Sequence, residues 1–236
     1  QAVPGVEQQI EVVPVGPVAA RARFRVPLRN QDVPLLFGST GETITEKSGN
    51  LNLGIPGIMY VGGIGGVIGA FLYEQAVPAA EMNGFLAILF PLLGCLIGSA
   101  LMGLLYCFLT VTLRANQNVT GLAMGFGNFF GGSLIKLNGA DVPYIALSAT
   151  SSYFRRTLPF ADKTGVVGQL LFSYGFLAYL AIAIALIASY VLGHTRVGLH
   201  LRAVGENPAT ADAAGINIGR YKYVATIIGS MVAGLG

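Results

Sequence analysis

The sequence predicts an all-α, polytopic transmembrane helical bundle. Hydrophobic residues make up 53% of the chain and charged residues 11%, under half the ~25% charged content of an ordinary soluble domain. Several apolar runs reach the ~20 residues that cover a hydrocarbon core of ~30 Å at 1.5 Å rise per residue. The chain also carries 33 glycines, which packed membrane helices tolerate and soluble helix interiors mostly do not.

The elements follow in order. Residues 1–32 read as an irregular lead-in, because Pro4, Pro14, Pro17 and Pro27 interrupt any helix. They also lack the apolar core of a cleavable signal peptide. Residues 33–236 then form one membrane domain. The stretch 33–45 predicts a short helix that does not reach across. Residues 53–73 are the first clear span, and 85–113 form a longer, tilted one. Residues 118–137 are Gly-rich and less hydrophobic, whereas 166–193 are the most continuously apolar. A polar loop occupies 194–222, and a last apolar run begins at Tyr221. That run is short of the ~20 residues needed to cross, which predicts a piece of a longer protein whose C-terminal spans are missing.

Inside the polar loop the sequence writes a miniature helix. Asn207 supplies an N-cap oxygen, Pro208 a preset helical φ, and Gly215 the left-handed stop. A helix of about seven residues is only marginally stable alone, so a docked partner protein is expected to hold it. The same loop carries Arg196, Arg202, Arg220 and Lys222, while 74–84 carries Glu74 and Glu81 and no base. The positive-inside bias therefore places 194–222 on the cytoplasmic side, together with the Arg114 turn. Loop 138–165, with Arg155, Arg156 and Lys163, goes against that count, and Arg21, Arg23, Arg25 and Arg29 do so if 33–45 spans.

Several function classes fall away. A net charge of +3, with the basic residues gathered in loops, does not make a nucleic-acid surface. Gly63-x-Gly65 with Gly69 and Gly125-x-Gly127 with Gly131 miss the dinucleotide spacing and its strand-to-helix setting. No phosphate-binding loop is present, so ATP is not hydrolysed here by that route. His194 and His200 lack companions for a metal site, and no cofactor is expected. Cys95 and Cys107 read as small buried hydrophobes on different faces of one helix. The sequon at Asn118 lies at a span boundary on the inner side and is discounted. The pairs Gly65/Gly69, Gly94/Gly98, Gly121/Gly125 and Gly127/Gly131 predict close helix packing; the alternative is room for a solute.

The four long runs contain no Asp, Glu or His, which leaves a proton- or sodium-coupled carrier little to work with. A transporter driven by a separate ATPase needs no intramembrane charge, only a cytoplasmic docking element. Asn116, Gln117, Asn118 and Thr120, then Asn128 with Phe129 and Phe130, are candidates for a path suited to an uncharged polyhydroxylated or heterocyclic solute; the plainer reading makes them helix glue.

The segment LRAVGENPATADAAGINIGRYKY (201–223) resembles the cytoplasmic signature of bacterial ABC-importer permeases of the branched-chain amino acid and simple-sugar superfamily. TEKSGNLNLGIPGIMYVGG (45–63) and LTVTLRANQNVTGLAMGFGNFFGG (109–132) resemble its nucleoside and simple-sugar branch. The resemblance implies a multi-pass permease subunit in the bacterial inner membrane, with no bond chemistry of its own. It implies an ABC ATPase subunit, a second homologous permease and an extracytoplasmic solute-binding protein as partners, besides the lipid bilayer. Gly205, Glu206, Asn207, Pro208, Ala211, Ala214 and Gly215 then form the coupling helix and its flanks, with Ala211 and Ala214 small enough to seat closely on the ATPase. Asn52 and Asn116 would lie near the translocation path or its inner gate, joining Asn118, Asn128 and Phe129, the path candidates among the interior polar and aromatic residues. Pro56 departs from the family, which usually has Glu there, and predicts a break or kink. An ion-coupled carrier and a non-transporting scaffold are the alternatives.

Overall fold

A computed structural model of the chain describes residues 32–78, 81–125, 150, 154 and 175–236. Among these residues every element is a helix: α1 Asp32–Glu46, α2 Ile55–Ala76, α3 Gly84–Cys107, α4 Gln117–Gly125, α5 Phe176–His194, α6 Arg196–Glu206, α7 Pro208–Ala213 and α8 Ile218–Gly234. A π-helical turn, Phe108–Thr112, prolongs α3. Among the described residues three helices are long and apolar enough to cross a membrane: Ile55–Ala76, Gly84–Thr112 and Phe176–His194. Their outward faces carry large apolar side chains such as Leu72, Leu101 and Leu186, the pattern expected of a surface solvated by lipid rather than water.

The glycines explain how the first two spans meet. Gly65 and Gly94 face each other so closely that a Cβ on either would run into the other's carbonyl, and Gly69 is pressed in the same way onto the carbonyl of Phe90. Close approach of two backbones, the ordinary packing reading of these pairs, is what the α2–α3 crossing uses. Gly94→Val should overpack the crossing at a cost of ~1–3 kcal/mol. The expected result is a lower melting temperature and a broadened size-exclusion peak in detergent; an unchanged melt would show that the crossing yields easily.

Helix α8 is the centre of the bundle and packs on α1, α2 and α3. It buries a face of small residues, Ala225, Thr226, Gly229, Ser230, Ala233 and Gly234. Gly229 meets Gly41 and Thr45 of α1, while Gly234 meets Ser99 of α3 and its carbonyl accepts from the Cys95 thiol at 2.7 Å. Both cysteines are free and buried.

The structure corrects the sequence reading at three places. First, 194–222 is not a loop around one short helix. Residues 196–206 form α6, capped by Thr195, whose Oγ1 accepts from Gly198 N at 3.2 Å. Gly198, Leu201 and Val204 recur at helical spacing and are buried, which the polar composition had masked. Second, α8 starts at Ile218, because Asn217 accepts from Arg220 N at 2.9 Å and caps it three residues before the apolar run. Arg220 and Lys222 are therefore helical. Third, Pro56 introduces no break. It lies in the first turn of α2, where its missing N–H has no intrahelical partner to lose. The rest of the 118–137 and 166–193 runs, beyond α4 and before Gly175, lies outside the described residues.

Candidate functional site

One end of the bundle gathers three segments far apart in sequence: the connector 47–54 between α1 and α2, the turn leading into α4, and α6 with α7. The connector alternates exposed residues (Lys47, Gly49, Leu51, Leu53) with buried ones (Ser48, Asn50, Asn52, Gly54), so its buried polar groups need partners from the helices beside it. Leu51 N donates to Gln117 Oε1 of α4 at 2.9 Å, and its carbonyl accepts from the Tyr106 hydroxyl of α3 at 2.6 Å. Asn50 Nδ2 donates to Thr226 Oγ1 of α8 at 3.1 Å, while Asn50 Oδ1 accepts from Gln117 Nε2 at 3.5 Å. Asn52 N donates to Glu42 Oε1 of α1 at 3.2 Å, and Asn52 Oδ1 accepts from Gly54 N at 3.0 Å, at the start of α2.

These bonds place the candidate path residues. Asn52 is 1% exposed and serves the connector, with its Nδ2 buried and unpartnered. Asn116 is exposed and caps α4, its Oδ1 accepting from Asn118 N at 3.0 Å and Val119 N at 3.3 Å. Asn118 is exposed on the first turn of α4. Asn52 and Asn116 thus lie at the same end of the fold, where Gln117, next to Asn116, bonds Asn50 and Leu51 of the connector. Asn128 and Phe129 lie outside the described residues.

Helix α7 has the caps its sequence specifies. Asn207 Oδ1 accepts from Thr210 N at 3.1 Å, Pro208 opens the helix, and Gly215 takes φ +78° just beyond it. The chain closes with Gly215 N donating to Asp212 O at 2.8 Å and Ile216 N to Ala211 O at 3.0 Å. Glu206, Asn207, Pro208, Ala214 and Gly215 are exposed. Ala211 differs: at 2% exposure it is turned into its own chain and anchors α7 from beneath. The small residues turned outward are Ala209 and Ala213 of α7 and Ala214 just beyond its end.

Gly205 ties this unit to the connector. A Cβ there would lie 2.5 Å from the carbonyl oxygen of Lys47 and 3.1 Å from Gly49 N. Gly49 itself holds φ +80°, a left-handed turn that a side chain would strain. Backbone therefore touches backbone between α6 and the end of α1.

Glu42 is the residue the sequence reading passed over. The inventory of ionisable groups covered the four long apolar runs, and Glu42 lies on the short α1. Its signal was the spacing Gly38, Gly41, Thr45, a buried helical stripe that Glu42 adjoins. Oε2 is buried without a partner among the described residues. Burial pushes the carboxyl up from 4.5 to about 7; the Asn52 N–H bond opposes this, and the nearby Glu46 adds to it.

A groove of about 1060 Å³ runs between α5, α6 and α8. Its walls are mostly aliphatic, among them Ile184, Ile187, Val224 and Ile228, with His200, Arg220 and Tyr221 at one end. It offers none of the amide groups gathered at the connector.

The described residues hold helices long and apolar enough to cross a membrane, and sequence comparison gives the class, a membrane permease component. The chain belongs to the family of branched-chain amino acid transport system permease components, whose model matches residues 29–236. It is 34% identical over 204 residues to the nucleoside ABC transporter permease protein NupC of Lactococcus lactis, covering 86% of this chain and 62% of that one. It is 30% identical over 210 residues to the guanosine ABC transporter permease protein NupQ of Bacillus subtilis, again covering 86% and 62%. The chain thus spans about three fifths of the length of these relatives. No solved structure matches it.

Proposed function

We propose that the chain is the membrane-spanning part of a permease subunit in an ATP-driven importer, carrying a nucleoside or a simple sugar across the bacterial cytoplasmic membrane. The observation that carries this reading is α7, a six-residue helix with complete caps, exposed on its outer side and anchored beneath by Ala211. Its likeness to relatives named as nucleoside and guanosine permeases supports the solute class. The basic residues of α6 and α8, Arg196, Arg202, Arg220 and Lys222, then face the cytoplasm. ATP hydrolysis belongs to a partner ATPase on which α7 rests, and a second permease completes the membrane pair. A solute-binding protein delivers from the other side. Movement of α7 passes through Gly205 to the connector and so to Asn52, Gln117 and the head of α4, where helices rock between two arrangements around the path.

Affinity purification of the tagged chain from its native membranes tests the assembly. Recovery of a P-loop ATPase and a second permease, with nucleoside uptake lost on deletion of the gene, is the expected result. A folded chain recovered alone, with uptake driven by an ion gradient, would replace this reading with a carrier.

A further inference from the structure

Glu42 lies one turn before the end of α1, outside the three candidate spans, in a setting that does not suit a carboxylate. Oε1 accepts from the Asn52 N–H of the connector, and Oε2 is buried with no donor among the described residues. The titratable groups whose fields reach it are Glu46 on its own helix and Tyr106 on α3, and neither supplies a positive charge. From α8 the residues against α1 beside Glu42 include Gly229 and Ala233, and from α5 they include Ala185, Ala188 and Leu192. Lys47 and Arg202 stand on the Thr43 side of α1, and neither pairs with Glu42 Oε2. A buried charge without a partner is far costlier than a buried neutral acid.

We propose that Glu42 positions the α1–α2 connector as a neutral acid, and that losing its proton loosens the connector together with the Gly205 contact that rests on it. The carbonyl oxygen keeps the Asn52 N–H while the proton removes the charge. Deprotonation leaves a full negative charge among apolar and small residues, and the strain falls on Leu51 and Asn52, whose backbone is held by the side chains of Gln117, Tyr106 and Glu42 itself. The connector ties α1 to α2, α3, α4 and α8, so a single proton acts on five helices.

The sign follows from the two protonation states. The folded value of about 7 lies above the unfolded 4.5. Between them the folded chain keeps a proton that the unfolded chain has lost. The stabilisation is full below the lower value and is lost as pH rises through the upper one.

Infrared spectroscopy of the purified chain in lipid nanodiscs tests this without any transport. At about pH 5.5 ordinary surface carboxyls are already ionised, so a protonated-carboxyl C=O band should remain, disappear with a midpoint near 7, and be missing from Glu42→Gln. The melting temperature of the wild type should fall by about 2–5 °C between about pH 5.5 and 8.5 relative to that of the variant. Absence of the band at about pH 5.5, or its survival in Glu42→Gln, would overturn the proposal. Should Glu42→Gln not fold, Glu42→Asp shortens the acid by one methylene and should move the midpoint; an unmoved midpoint would place the titrating group elsewhere.

Discussion

Ala214→Arg should abolish ATP-driven uptake while leaving the amount of folded protein in the membrane unchanged. Ala214 closes α7 and is exposed, so the structure of the isolated chain has room for the larger side chain. In the proposed assembly that surface is pressed onto the ATPase. An arginine forced into a desolvated contact without a partner costs on the order of 3 kcal/mol, about a hundredfold in docking affinity. ATPase activity then continues without transport, or the ATPase no longer copurifies. Ala211→Arg provides the contrast. Ala211 is turned inward, so the arginine has to displace α7 from its own chain, and folded protein should fall before any question of coupling arises. Uptake in proteoliposomes beside immunoblots of membrane content separates the two. Normal uptake by a well-expressed Ala214→Arg would remove α7 from the coupling path. A normally folded Ala211→Arg would mean that α7 lifts off easily.

The contrast between those alanines marks what the sequence made legible and what it did not. The helix existed in the sequence because capping is local chemistry: Asn207, Pro208 and Gly215 each act within a few residues of themselves. Which alanine faces inward depends on α6 and α8, and no local pattern in six residues encodes that. The spans were legible for a similar reason, since apolar length and a ~30 Å core are enough to place them. Their ends moved where a cap outranked hydropathy, as at Asn217. Helix α6 was missed because its polar face dominated the composition while its buried stripe comprises only Gly198, Leu201 and Val204. The glycine pairs of α2 and α3 were read correctly as packing surfaces. The comparable small face of α8, Gly229 with Ala233 and Ser230 with Gly234, was not. The connector is the part least visible in sequence. Asn50, Asn52, Gln117, Tyr106, Thr226 and Glu42 come from five separate stretches, and only the fold shows that each satisfies a neighbour's backbone or amide. Asn52 and Asn116 were singled out as path residues; the structure assigns both of them hydrogen-bonding work at the same end of the bundle.

Gly205→Ala sets two effects of opposite sign against each other, and packing should win. Within a helix, alanine is favoured over glycine by ~1 kcal/mol, so propensity alone predicts a more stable α6. The added methyl would lie 2.5 Å from the Lys47 carbonyl and 3.1 Å from Gly49 N. Both neighbours are backbone, and the turn that carries them is fixed by the left-handed Gly49. No side chain can swing away, so α6 has to slide or the turn has to open, at ~1–3 kcal/mol. Lys47 is already exposed, and opening the turn frees the backbone after it from its bonds to α1, which makes trypsin a direct reporter: cleavage after Lys47 should quicken in Gly205→Ala, and the melting temperature should drop. Gly49→Ala should behave alike, since its methyl would meet Gly205 Cα at 3.1 Å in addition to the strained φ. A more stable Gly205→Ala with unchanged proteolysis would show that propensity outweighs the contact, and that movement of α7 reaches the connector by another route. If instead both glycine variants loosen the turn and lower uptake without altering ATPase recruitment, the contact is the mechanical link between the docking helix and the buried polar connector.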